Sequence, residues 1–315
     1  MKIIFLGTPT IAATCLESLA TGSHEIVAVV THPDKAQGRG LKLHPTPVKE
    51  VALRLGFPVI ECPDAKDPSF AATIQDLQAD LLVVVAFVIL PKAVLGATRL
   101  GAVNLHGSLL PRWRGAAPVQ RSVEAGERVT GASVFRLDTG VDTGGILLQE
   151  KIEIGEDETS GEVLEHIAQL GGPLLLRAIN LLEKDSTISG TLQDPALATR
   201  APKLFPEEGE IDWSLPAQCL HDKIRAFHPA PGCWTSCEGT RLKIWRTHAV
   251  EPPFDADFAK APAGTVRKYA KGRAAIATGA GFLELVEVQP EGKKHLSGWD
   301  WFNGLRRADG FTLGA

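Results

Sequence analysis

Long apolar runs are absent from this 315-residue sequence. The longest, residues 81–90, is closed by Pro91 and falls well short of the roughly 20 residues a membrane-spanning helix needs. A membrane partner is therefore not expected. Cysteine is scarce: five residues, an odd number sparsely placed, argue against a disulfide framework and for a reducing, cytoplasmic compartment. The opening Met1-Lys2-Ile3-Ile4-Phe5-Leu6-Gly7 has one basic residue and a very short apolar stretch, so it reads as a first strand and not as a signal peptide. A strong excess of one charge is missing too. Lys and Arg number 33 against 37 Asp and Glu, for a net charge of −4. A polyanionic partner would have to be met by local patches. The basic residues from Arg241 to Arg273 form one candidate, which on charge alone reads as a solvated face.

Several motifs are also lacking. The turn Phe5-Leu6-Gly7-Thr8-Pro9 has one glycine where a dinucleotide site wants Gly-x-Gly-x-x-Gly, and there is no Walker loop. NAD and ATP are disfavoured accordingly. No Gly-x-Ser-x-Gly elbow offers an enzyme nucleophile.

What is present is an ordinary globular composition, 44% hydrophobic and 22% charged, enough to bury a core. In the first half, strand-like stretches (2–6, 26–30, 58–60, 81–86, 102–105) alternate with helix-like ones (11–19, 47–55, 70–77). This order predicts an α/β fold with an open, mostly parallel sheet covered on both faces. A long helix is expected over 161–182, opened by Thr159, Ser160 and Glu162 as capping residues. A turn-rich stretch follows. Beyond it come a helix at 216–226 and short strand candidates at 233–237, 242–245, 264–266, 274–277 and 282–288, the spacing of a small β-barrel. The expected organisation is a catalytic domain over 1–189, a linker over 190–205 and a C-terminal domain over 206–315.

The densest polar region is Asn104-Leu105-His106-Gly107-Ser108-Leu109-Leu110-Pro111-Arg112-Trp113-Arg114-Gly115. On a strand, Asn104 and His106 project to the same side. An amide can donate to a developing oxyanion, and an imidazole can move protons at neutral pH. Asp142, in the polar loop 138–145, is a carboxylate that could orient the imidazole. Spacing alone gives comparable weight to a structural histidine and a turn-forming aspartate. Without an enzyme nucleophile, the set suits a reaction in which the substrate attacks, such as acyl transfer to an amine. Cys219, His228, Cys233 and Cys237 fall close together, but their irregular spacing does not favour zinc, and no metal is expected.

These residues resemble the methionyl-tRNA formyltransferases, within the folate-dependent formyltransferase family. The match runs from Phe5-Leu6-Gly7-Thr8-Pro9 through the 104–118 motif and Asp142-Thr143-Gly144. It continues through Ile211-Asp212-Trp213, Pro229-Ala230-Pro231-Gly232 and 288–294. The resemblance implies a Rossmann-like catalytic domain followed by an OB-like domain that binds tRNA. It implies an enzyme that moves the formyl group of 10-formyltetrahydrofolate to the α-amino group of methionyl-initiator tRNA, for translation initiation. Asn104 would then bind the formyl oxygen, His106 would carry the proton, and Asp142 would fix His106. Ser108, Leu109, Leu110 and Pro111 would line the folate site, with Phe87 and Ile89 bordering it. Arg39 and Lys42, in the glycine-rich basic loop 31–43, would approach the tRNA acceptor end. A monomer is suggested. Relatives read Ala-Tyr-Gly-x-Ile-Leu-Pro after the fourth strand. Here Ala86-Phe87-Val88-Ile89-Leu90-Pro91 is one residue shorter and lacks the Tyr and Gly, which is expected to reshape the folate pocket. Two other readings are a nucleotide-sugar N-formyltransferase with the same trio, and a non-catalytic RNA-binding protein on the same fold.

Overall fold

A computed structural model describes residues 1–37, 42–251, 257–305 and 310–314. The chain divides into two compact units. The first comprises Met1–Pro118, Val129–Glu153 and Leu164–Ala201; the second comprises Val119–Arg128, Ile154–Val163 and Pro202–Ala315. The stretch expected as a linker, 190–205, is thus shared, and as far as Ala201 it is part of the first unit. Its backbone is consumed by pairing: Thr191 exchanges hydrogen bonds with Ile146, and Thr199 O accepts from Arg114 N at 2.9 Å.

The first unit is built on strands β1 (Lys2–Gly7), β2 (Glu25–Thr31), β5 (Val59–Glu61), β6 (Leu81–Val85), β7 (Ala102–His106), β9 (Val129–Arg136) and β10 (Ile146–Glu153). Between them lie two short pairs: β3 (Lys35–Gln37) with β4 (Lys42–His44), and β8 (Arg114–Gly115) with β11 (Arg200–Ala201). The main sheet runs β10-β9-β7-β6-β1-β2-β5. Its five strands from β7 to β5 are parallel, as the Ile/Leu/Val runs of β1 and β6 demand when both faces are covered. Ile3 to Leu6 and Leu81 to Val85 are all buried. The order reverses between β1 and β6, and ligands of such sheets sit outside the carboxyl ends at that reversal. β9 adds antiparallel to β7, and β10 antiparallel to β9, a pair the alternation of strand and helix did not foretell.

Helix ends follow from local chemistry. In α1 (Thr10–Leu19) the apolar residues Ala12, Leu16 and Leu19 are buried. In α2 (Pro47–Leu55), Thr46 accepts from Lys49 N, Pro47 occupies the first turn, and Gly56 closes the helix at φ 78°. Asp67 caps α3 (Pro68–Asp76) in the same way. The short α4 (Lys92–Leu95) and α5 (Pro118–Glu124) precede the long α6 (Ser160–Lys184). Gly172 lets α6 approach α1, since a Cβ there would lie 2.3 Å from that of Ser18.

In the second unit the expected barrel is a half-barrel: one antiparallel sheet, curled but open among the described residues. It runs β12 (Cys233–Cys237), β13 (Thr240–Val250), β16 (Phe282–Pro290), β15 (Arg273–Ala277), β14 (Thr265–Ala270) and β18 (Phe311–Thr312), with β17 (Leu296–Ser297) on β16. Register shifts along β13 and β14 bend these strands and supply the curl. α7 (Ala217–Ala226) and α8 (Gly298–Gly304) complete the unit. The basic patch read from the sequence is largely neutralised or stacked. Arg246 pairs with Glu162, Arg273 with Glu284, and Arg241 lies over the Trp234 ring at 4.0 Å. No described helix is long and apolar enough to cross a membrane.

The capping box expected at α6 forms. Thr159 N and its hydroxyl both donate to Glu162, at 2.8 and 2.7 Å, and Arg246 donates from the other side at 2.7 Å. Burial would raise the Glu162 carboxyl, but these donors outweigh it and hold it down at about 2. The folded value lies below the ordinary one, so the stabilisation is complete above about pH 4.5 and vanishes as pH falls toward 2. The Glu162 side chain is 42% exposed, and screening leaves about 1 kcal/mol. Glu162→Gln is expected to lower the urea-unfolding free energy by about that amount at pH 7 and to match the unaltered protein at pH 2.

Candidate active site

The carboxyl ends of β6 and β7 and the turn after β9 border a small cleft of about 90 Å³ that opens to solvent. Phe87, Val88, Ile89 and Leu90 form one part of its lining, and Leu137, Asp138, Gly140 and Val141 another. Asn104 and Asp142 supply polar groups among these largely apolar walls. The positive φ that a glycine would normally take falls on Ala86, at 48°, and this turns the chain sharply out of β6. Phe87 stacks on the His32 ring with centroids 5.0 Å apart.

Asn104 and His106 sit on alternate positions of β7, opposite Phe135 and Ser133 of β9. His106 is only 5% exposed. Its Nε2 lies 2.8 Å from the Trp113 carbonyl, so that nitrogen carries a hydrogen and donates. Its Nδ1 lies 3.6 Å from Asp142 Oδ2. With a proton on Nδ1 as well, the ring donates toward Trp113 on one side and faces the carboxylate on the other. His106 is not among the residues that line the cleft, whereas Asp142 is. Asp142 is itself held in a positive-φ conformation, 53°, and its Oδ2 accepts from Gly115 N at 2.8 Å. Asp138 shapes the turn from within by accepting from Gly140 N and the Thr143 hydroxyl.

One residue at this turn was not foreseen. Gln193, in the stretch expected as a linker, donates from Nε2 to the carbonyls of Asp142 and Gly144, each at 2.8 Å. Its Oε1 accepts from Nε and a terminal nitrogen of Arg114. No sequence signal marks a lone glutamine in a turn-rich stretch.

Residues 1–179 match the family described as "Formyl transferase", and residues 203–306 match "Formyl transferase, C-terminal domain". The chain belongs to the formyl transferase family. Among solved structures it is similar to HypX from Aquifex aeolicus in complex with tetrahydrofolic acid, at 15% identity and a TM-score of 0.66. That likeness covers 98% of this chain but 48% of HypX, so the chain spans about half of HypX. It is also similar to the N-formyltransferase of Helicobacter canadensis in complex with folinic acid and dTDP-3-aminofucose. There the identity is 17%, the TM-score 0.67, and the coverage 92% of this chain and 99% of the other. Glycinamide ribonucleotide transformylase 1 from Symbiobacterium toebii matches at 22% identity and a TM-score of 0.52, over 62% of this chain and 94% of that one. At these identities the likeness is one of fold.

Against this family background, the expected site residues separate into groups. Asn104, Asp142, Phe87 and Ile89 line one cleft, with His106 beside Asp142. Ser108, Leu109, Leu110 and Pro111 are not among the residues that line it. Their polar groups are spent inside the protein: the Ser108 hydroxyl donates to Arg112 O, Ser133 donates to Ser108 O, and Gln149 donates to Leu110 O. Arg39 lies outside the described residues. Lys42 opens β4, so the stretch expected as one long loop contains a short antiparallel pair, with Lys42 opposite Gln37. Cys233 and Cys237 are buried in β12 while Cys219 is exposed, and no described His, Cys, Asp and Glu side chains form a group of three able to hold a metal.

Gly144 tests how tightly the Asp142 turn is fitted. A Cβ there would stand 1.8 Å from the Arg136 carbonyl oxygen, which is backbone and cannot swing aside. Gly144→Ala is expected to move Asp142 and lower formyl-transfer turnover by about a hundredfold, measured as initial rate at saturating substrates.

Proposed function

We propose that this chain transfers the formyl group of 10-formyltetrahydrofolate to the α-amino group of methionyl-initiator tRNA. The observation that carries the reading is the meeting of Asn104 and Asp142 in one cleft, with His106 Nδ1 3.6 Å from the carboxylate. The cleft suits the donor: its apolar walls, Phe87 and Ile89 among them, offer faces to a flat ring, and Asn104 offers a hydrogen bond to a carbonyl. The donor supplies a formyl carbon whose bond to N10 is exchanged for a bond to the acceptor amine, one proton passing from the amine to N10. Asn104 donates its amide hydrogen where negative charge gathers on the formyl oxygen, a role worth roughly 3 kcal/mol in comparable sites. Asp142 and His106 hold the proton between its departure and its delivery, Trp113 O and Gly115 N fixing them from behind. An α-amino group titrates near 7.7–8.0, and esterification of the carboxyl lowers that, so the acceptor needs alignment more than a strong base. Arg39, between two glycines, is assigned to the tRNA acceptor end.

A second reading places an amino-sugar nucleotide on the same donor. It is favoured by the Helicobacter canadensis structure, which matches over 99% of that chain. The test offers purified protein 10-formyltetrahydrofolate with either acceptor. Formylmethionyl-tRNA is the expected product; product with the sugar nucleotide alone overturns the tRNA reading. Asn104→Ala, His106→Ala and Asp142→Ala are each expected to slow turnover by about a hundredfold or more, with thermal melting little changed. Near-normal turnover in any one removes that residue from the mechanism.

A further inference from the structure

The stretch 190–201 lies between the two family-matched regions, 1–179 and 203–306, yet it holds the carboxylate in place. It does so at three points. Thr191 pairs with Ile146 at the start of β10 through bonds of 2.8 and 2.9 Å. Thr199 and Ala201 bind the segment that follows His106: Trp113 N donates to the Thr199 hydroxyl, and Ala117 N to Ala201 O. Between these points Gln193 joins the Asp142 turn to the Arg114 side chain. Its carboxamide is fully used, with both hydrogens given to the carbonyls of Asp142 and Gly144 and both lone pairs taken by Arg114.

Arg114 is the neighbour of Gly115, whose N–H holds Asp142 Oδ2, and of Trp113, whose carbonyl holds His106 Nε2. The carboxylate and the imidazole are therefore both anchored to residues 113–115, and Gln193 ties the backbone of the aspartate to that same anchor. Asp142 sits at positive φ, where a non-glycine residue costs about 1–2 kcal/mol, so the conformation persists only under such outside restraint.

We propose that Gln193 is a positioning residue for the Asp142–His106 pair, acting by fixing the Asp142 backbone against Arg114. This rests on the formyl-transfer reading given above. Gln193→Glu separates the two halves of the link: its carboxylate still accepts from Arg114 but gives no hydrogen to the two carbonyls. Gln193→Met removes both halves. Rates are measured with 10-formyltetrahydrofolate and whichever of methionyl-initiator tRNA or amino-sugar nucleotide the unaltered protein formylates. Both variants are expected to lose about ten- to a hundredfold in kcat, with KM for the donor within about twofold. Gln193→Glu keeps its hold on Arg114 but sets a carboxylate oxygen against two carbonyl oxygens, so it is expected to melt lower than the unaltered protein, with the uncharged Gln193→Met as its control. The double variant Asp142→Asn/Gln193→Glu is expected to be no slower than Asp142→Asn alone.

Near-normal kcat in Gln193→Glu overturns the proposal. So does a loss that falls on KM alone, or one that multiplies in the double variant. In those outcomes Asp142→Asn stays slow, so the formyl-transfer reading survives. A fully active Asp142→Asn, or an unaltered protein that formylates neither acceptor, ends that reading and this proposal together.

Discussion

The site depends on one backbone hydrogen bond, from the N–H of Gly115 to the carboxylate of Asp142 at 2.8 Å. Everything that fixes the donor also fixes the acceptor. Gly115 is held by strand pairing with Ala201, and the approach is so close that a Cβ would stand 2.5 Å from the Ala201 oxygen. Its φ of 128° is one that side-chain-bearing residues rarely adopt. The carboxylate thus takes its place from chain segments far apart in sequence as well as from its own turn.

This arrangement assigns different surroundings to three polar groups that lie within a few residues of the strand ends. Asn104 and Asp142 face an open cleft, while His106 is buried against the edge of Phe135, with ring centroids 6.4 Å apart. Fixed dipoles in poorly hydrated surroundings act more strongly than the same groups in water, and they need no rearrangement when charge appears. The imidazole is buried, with Nε2 fixed on the Trp113 carbonyl and Nδ1 3.6 Å from the carboxylate that lines the cleft.

Much of the catalytic unit was legible in the amino-acid order. The buried runs of β1 and β6 and the placing of Asn104 and His106 on one strand follow from short-range patterns, as does the cap of α6 in the second unit. What escaped was set by distant contacts. β9 and β10 follow one another without an intervening helix, so the strand-helix rhythm gave no cue to them. Several polar groups of residues 108–111 are engaged internally, on Arg112, Ser133 and Gln149, contacts that no short-range pattern announces. Gln193 carries no local signature, because its meaning comes from Asp142, Gly144 and Arg114, none nearer than 49 positions in the chain.

The stack between His32 and Phe87 has a mechanical corollary. Phe87 belongs to the wall of the cleft, whereas His32 directly follows β2 and is tethered to Cys62 O at 3.1 Å. Outward displacement of the phenyl ring must either break the stack or drag the imidazole along. The short strand β3 begins three residues beyond that imidazole, so the wall of the cleft and the start of the β3–β4 pair share one ring contact.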